Sequence, residues 1–68
     1  MQVPFLSPAT VEAALKSVEG DIAAHKNWIM TAVEDGKQIK AAELVEACRT
    51  LETAAGDMRR ALRLAQAA

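Results

Sequence analysis

The sequence has very few aromatic residues, with one tryptophan, one phenylalanine and no tyrosine in 68 residues. It has a single cysteine, so no disulfide can form within the chain. It also has no apolar run approaching the roughly 20 residues of a membrane-spanning helix. The net charge of -1 gives no overall attraction to nucleic acid or acidic lipid. These absences argue against a β-rich, secreted or membrane-spanning protein and favour a cytoplasmic one.

What the sequence does contain is the pattern of two helices joined by one short turn. Ser7 followed by Pro8 is typical of a helix start, because the hydroxyl caps free amides and proline fits the first helical position. The pair Asp35-Gly36 predicts a helix end. We therefore expect an all-α protein of one domain. Its predicted elements are an apolar N-terminal extension, a first helix, a turn and a second helix, at residues 1–6, 7–35, 36–37 and 38–67.

Both predicted helices carry an apolar stripe whose spacing alternates between three and four residues, which is the heptad pattern of a coiled coil. The stripe of the first helix consists of Val11, Leu15, Val18, Ile22, His25, Ile29 and Ala32. The stripe of the second consists of Ala41, Leu44, Cys48, Leu51, Ala55, Met58, Leu62 and Ala65. A short turn makes the helices antiparallel neighbours, and one register pairs the two stripes throughout. The sequence thus predicts a coiled-coil-like antiparallel hairpin.

The two flanks of this stripe differ in composition. On one flank we expect Glu12 to face Arg59 in an exposed ion pair. On the other flank the second helix presents only alanines, and the first presents Ala14, Asp21 and Trp28. This apolar face is wider than two helices require, so we expect the hairpin to dimerise into a four-helix bundle or to dock on another helical protein. The predicted partner-binding residues are Trp28, Ala47, Ala54, Ala61, Ala14 and, in the N-terminal extension, Phe5.

His25 is predicted to lie opposite Cys48 in the stripe, and both residue types bind zinc. A dimer would bring two histidines and two cysteines together, so a metal-responsive sensor is one alternative function. The structural interpretation is that Cys48 is a small buried apolar residue and that His25 hydrogen-bonds a neighbour or water. Because the CxxC and HxxxH spacings of specific zinc motifs are missing, we predict no metal and no cofactor.

The sequence contains no glycine-rich phosphate loop, serine elbow or convergent carboxylate cluster, so we predict a protein that is not an enzyme and has no small-molecule substrate. A second alternative is a small nucleic-acid-associated protein. Its candidate contacts are the arginines of the C-terminal half, at positions 49, 59, 60 and 63. Acidic residues are interleaved with these arginines, which disfavours phosphate binding.

The chain length, a helical hairpin that turns at Gly36, and Leu51-Glu52 in the second helix resemble the small co-chaperones of type III secretion systems. The resemblance covers residues 34 to 62. It implies a hairpin that pairs with a larger helical chaperone and keeps the needle subunit from polymerising early. A second segment, Ala24-His25-Lys26-Asn27-Trp28, is similar to the AHxxW motif of chemoreceptor zinc-binding domains. That resemblance implies a zinc-ligating histidine, but the further His and Cys ligands of that family are missing here.

Overall fold

The computed structural model describes residues 7–67, which form two α-helices, α1 (Pro8–Glu34) and α2 (Gln38–Ala67). The two helices pack against each other and double back at the turn between them. The expectation of an all-helical hairpin is confirmed for this part of the chain. Neither helix is both long enough and apolar enough to cross a membrane. Phe5, a predicted partner contact, lies outside the described residues.

α1 begins at Pro8 because the preceding residue supplies a cap. Ser7 has an extended backbone (φ -65°, ψ 154°), and its hydroxyl oxygen accepts a hydrogen bond of 3.2 Å from the backbone N–H of Thr10. The carbonyl of Ser7 also accepts from the N–H of Val11 at 3.0 Å. One side chain therefore satisfies an amide that has no partner inside the helix, as expected from the sequence.

The turn is set by Gly36, whose φ of 73° lies in the left-handed region that side chains with a Cβ avoid. The N–H of Gly36 donates to the carbonyl of Val33 at 3.1 Å, and the N–H of Lys37 donates to the carbonyl of Ala32 at 2.8 Å. This pair of bonds is the Schellman motif, which satisfies the last carbonyls of a helix. Gly36 thus both ends α1 and reverses the chain direction.

The predicted stripe forms the contact between the helices, which we call the seam. Every seam position except Ala65 is buried or half-buried. The buried ones are small: Ala32, Ala41, Cys48 and Ala55. Within residues 7–67 no large side chain is completely buried, so each leucine, isoleucine and valine of the seam keeps part of its surface in water. Two helices alone leave this core open on both flanks.

The prediction that Glu12 forms an ion pair with Arg59 is wrong. Arg59 instead binds Glu19, with 2.9 Å between a guanidinium nitrogen and a carboxylate oxygen. The reason is that side chains lean toward the N-terminus of their own helix. In an antiparallel pair, Arg59 therefore leans toward the turn and Glu19 leans away from it. The two side chains approach each other, whereas Glu12 leans away from Arg59.

Candidate protein-interaction surface

One flank of the seam carries residues at strict seven-residue spacing on both helices, and we call it the alanine side. Its members on α1 are Ala14, Asp21, Trp28 and Asp35, and those on α2 are Lys40, Ala47, Ala54 and Ala61. Ala14 and Ala54 are half-buried, Ala47 and Ala61 are exposed, and Trp28 is 53% exposed. All described members of the predicted contact set therefore lie on one side of the hairpin, which leaves a large aromatic surface in water.

Trp28 is held in place by a neighbour on its own helix. The rings of His25 and Trp28 are tilted by 52° with their centroids 4.9 Å apart, which is a contact distance for aromatic pairs. The His25 ring is itself fixed, because its Nδ1 lies 2.7 Å from the carbonyl oxygen of Asp21. A carbonyl only accepts, so Nδ1 carries the proton and donates it. The indole is therefore supported from one side, as a pre-oriented anchor requires.

At the turn end the alanine side contains an open depression that spans both helices. It is lined by Trp28, Thr31, Ala32, Asp35, Lys37, Lys40 and Leu44. Trp28 and Ala32 come from α1, whereas Lys40 and Leu44 come from α2, so the side chains of the two helices meet here across the seam. The floor is apolar and the rim is charged, which is the usual composition of a surface that binds another protein.

The charged residues of this rim have no ion-pair partner within the hairpin. Among residues 7–67 the recorded ion pairs join Arg49 to Glu46 and Arg59 to Glu19, and none includes Asp35, Lys37 or Lys40. The rim thus offers both a carboxylate and ammonium groups to a second molecule.

The opposite flank differs, and we call it the charged side. It carries Glu19, Lys26 and the exposed Val33 on α1, with Val45, Glu52 and Arg59 on α2. The Glu19–Arg59 pair bridges the two helices on this flank. Within α2, the thiol of Cys48 donates a hydrogen bond of 3.3 Å to a carboxylate oxygen of Glu52. The charged side is therefore bridged by an ion pair between the helices, and no such pair among residues 7–67 involves the alanine side.

Burial raises the pKa of the Cys48 thiol, and the hydrogen bond and negative charge of Glu52 raise it further, while Lys26 opposes them. A reactive or metal-binding cysteine needs the opposite, because the thiolate is the nucleophile and the ligand. The environment of Cys48 resembles that of a structural cysteine, as the non-metal interpretation expects.

The two candidate metal ligands are each bonded elsewhere in the hairpin. His25 donates from Nδ1 to a main-chain carbonyl, and Cys48 donates to Glu52. Within residues 7–67 no group of three or more His, Cys, Asp or Glu side chains is arranged to hold a metal ion. The pair from the AHxxW-like segment that the structure does bring together is His25 with Trp28.

Sequence reasoning missed several exposed apolar side chains near the turn. Met30 and Val33 are 61% and 62% exposed, and Ile39 is 80% exposed. Their signal was available, because each falls between seam positions and would have to point outward. It also missed the contact of His25 with Trp28, although residues three apart on a helix are neighbours. These three side chains are exposed at the turn end but lie off the alanine side.

Comparison with known protein families, with curated proteins and with solved structures finds no match to this chain. The function proposed below therefore rests on the surface of the hairpin itself.

Proposed function

We propose that this protein is a non-enzymatic protein-interaction module, a helical hairpin that binds a helical partner or a second copy of itself through the alanine side. The observation that carries the proposal is the half-exposed indole of Trp28, which is supported by His25 and lies beside a stripe of alanines. Tryptophan is the residue type most enriched among interface hot spots. Alanines allow a partner helix to approach closely.

The incomplete core supports the same proposal. Two helices with no fully buried large side chain have little apolar burial to offset the entropy of ordering some sixty residues. A partner helix on the alanine side would cover Trp28 and the exposed edges of Leu44 and Leu51 together. Packing of four helices around such a seam gives a four-helix bundle.

The raised pKa of Cys48 supports the non-enzymatic part of the proposal, because the only thiol of the chain is kept protonated. A co-chaperone that pairs with a larger helical chaperone is one form of such a module, and a small regulator or inhibitor is another. A cytoplasmic location belongs to the same proposal, since a lone protonated thiol suits a reducing compartment.

The proposal is tested by comparing Trp28→Ala with Met30→Ala. Both variants remove a large exposed apolar side chain from α1, but only Trp28 lies on the alanine side. We expect Trp28→Ala to weaken association by about 30-fold in Kd, or about 2 kcal/mol, while Met30→Ala changes it less than about threefold. Sedimentation measures association, and circular dichroism checks that both variants keep their helices.

The proposal is overturned if the isolated wild-type chain is a fully helical monomer with cooperative unfolding at the same temperature over a wide concentration range. Such a hairpin would be stable without a partner, and Trp28 would need no cover. Equal losses for Trp28→Ala and Met30→Ala would also contradict it.

A further inference from the structure

The alanine side matches itself level by level. In this hairpin a residue of α1 and a residue of α2 lie at about the same height when their numbers have nearly the same sum, as in the seam. The members of the alanine side form four such levels: Ala14 with Ala61, Asp21 with Ala54, Trp28 with Ala47, and Asp35 with Lys40. At three of these levels the α2 residue is an alanine, and at the level nearest the turn it is Lys40.

From this match we propose that a second copy of the chain covers the alanine side, with both hairpins pointing in the same direction and their turns at the same end. The inference rests on the proposed function and specifies that the binding partner is a second copy of the same chain. A two-fold axis parallel to the helices then places α1 of one protomer beside α2 of its partner. Each Trp28 then lies level with the Ala47 of its own chain and with the same residue of the other protomer.

Charge complementarity favours this orientation. Asp35 and Lys40 both border the depression at the turn end, and neither has an ion-pair partner within residues 7–67. With the turns at the same end, Asp35 of each protomer lies at the height of the other protomer's lysine, so the pair forms twice by symmetry. The dimer thereby pairs Asp35 and Lys40, which the single hairpin leaves without ion-pair partners.

The opposite orientation lacks this match. With the turns at opposite ends, each α1 lies beside the partner's α1, and each α2 beside the partner's α2. Setting Trp28 over the partner's Ala14 then brings Asp21 of one protomer to Asp21 of the other, which opposes two carboxylates. Helix dipoles do not distinguish the two orientations, because neighbouring helices are antiparallel in both, so the preference rests on the side-chain charges.

The test measures the distance between two spin labels, one on each protomer of the dimer. Glu34→Cys places a label on an exposed position near the turn, in a Cys48→Ala background that removes the native thiol. We expect a label-to-label distance below about 30 Å, the width of a bundle of helices packed 8–10 Å apart plus label arms. A label at Ala23→Cys, close to mid-length, gives a short distance in either orientation and so reports dimer formation alone.

Three outcomes are distinguishable. Short distances at both positions support the proposal. A short distance at Ala23→Cys with about 40 Å or more at Glu34→Cys, the length of 27 helical residues, overturns it in favour of opposed hairpins. If neither position gives a distance, a second copy is excluded, but a module that is incompletely helical on its own and binds a different helical partner still stands.

A charge exchange provides an independent check. Asp35→Lys alone opposes like charges at both symmetric contacts, and we expect it to weaken dimerisation about fivefold. The double variant Asp35→Lys with Lys40→Asp restores opposite charges and should return Kd to within about twofold of the wild type. Failure of the double variant to recover would contradict the proposed contact, because a purely structural effect of Asp35→Lys would persist.

Discussion

The two flanks of the seam differ in the contacts that their side chains make. On the charged side, Glu19 and Arg59 join the helices, and Glu52 accepts a hydrogen bond from the buried thiol of Cys48. On the alanine side, by contrast, a supported indole, a row of methyl groups and unpaired rim charges face water. One flank is thus bridged by an ion pair within the chain, while the other keeps an apolar surface in water, which is typical of a protein-interaction surface. The three predictions below test this comparison, beginning with the seam that both sides share.

The largest effect is expected at Ala55, which has 0% exposure between the helices. Ala55→Asp places a carboxylate in the buried contact between the helices, which we expect to cost about 3 kcal/mol of unfolding free energy. Since the hairpin is held by a small core, this loss should unfold it. The control is Ala23→Asp, the same change at an exposed position of α1, with an expected cost below about 0.5 kcal/mol. Urea unfolding followed by circular dichroism measures both. A folded Ala55→Asp hairpin would show that the seam is not where the helices meet.

A smaller effect is expected from pH on the charged side. The pKa of Cys48 is raised in the folded hairpin, first by burial and then by Glu52, so the protonated thiol is the form that favours folding. Its contribution is fully present below the ordinary thiol pKa of 9.0 and is lost as the pH rises through the higher folded value. We therefore expect the wild type to lose stability above about pH 9 more steeply than Cys48→Ala. Parallel pH profiles for the two proteins would contradict the burial of the thiol.

The smallest effect is expected from the ion pair that joins the two helices on the charged side. The side chains of Arg59 and Glu19 are 50% and 47% exposed, so water screens their attraction. A double-mutant cycle with Arg59→Met and Glu19→Gln should give a coupling free energy of about 0.5 kcal/mol. The matching cycle of Arg59→Met with Glu12→Gln should give none. Coupling to Glu12 instead would restore the pairing first expected from the sequence.

The sequence predicts those features that depend on near neighbours or on strict periodicity. Ser7 caps α1 because the cap needs only the amide three residues on, and Gly36 ends the helix because its backbone conformation is local. The seam follows from its three- and four-residue spacing, which gives both the faces in contact and their register. These features cover nearly all of the fold of residues 7–67.

Contacts that depend on side-chain direction were harder to predict. The partner of Arg59 was misassigned because helical spacing gives the position of a Cα atom, whereas a long side chain ends several ångströms along the axis. The support of Trp28 by His25 was missed because the histidine was considered as a seam residue and a candidate metal ligand, and not as a neighbour of the indole. The rim charges Asp35 and Lys40 were missed although they continue the seven-residue spacing of the alanine side.

The central claim is that a second chain covers the alanine side, and the fluorescence of Trp28 tests it most directly. Trp28 is the only tryptophan and the chain has no tyrosine, so the signal comes from this site alone. On concentration of the wild-type protein, the emission should shift to shorter wavelength and the indole should become less accessible to acrylamide, as water is displaced from the ring. Emission and quenching that stay constant across the dilution series, in a protein that remains helical throughout, would contradict the claim.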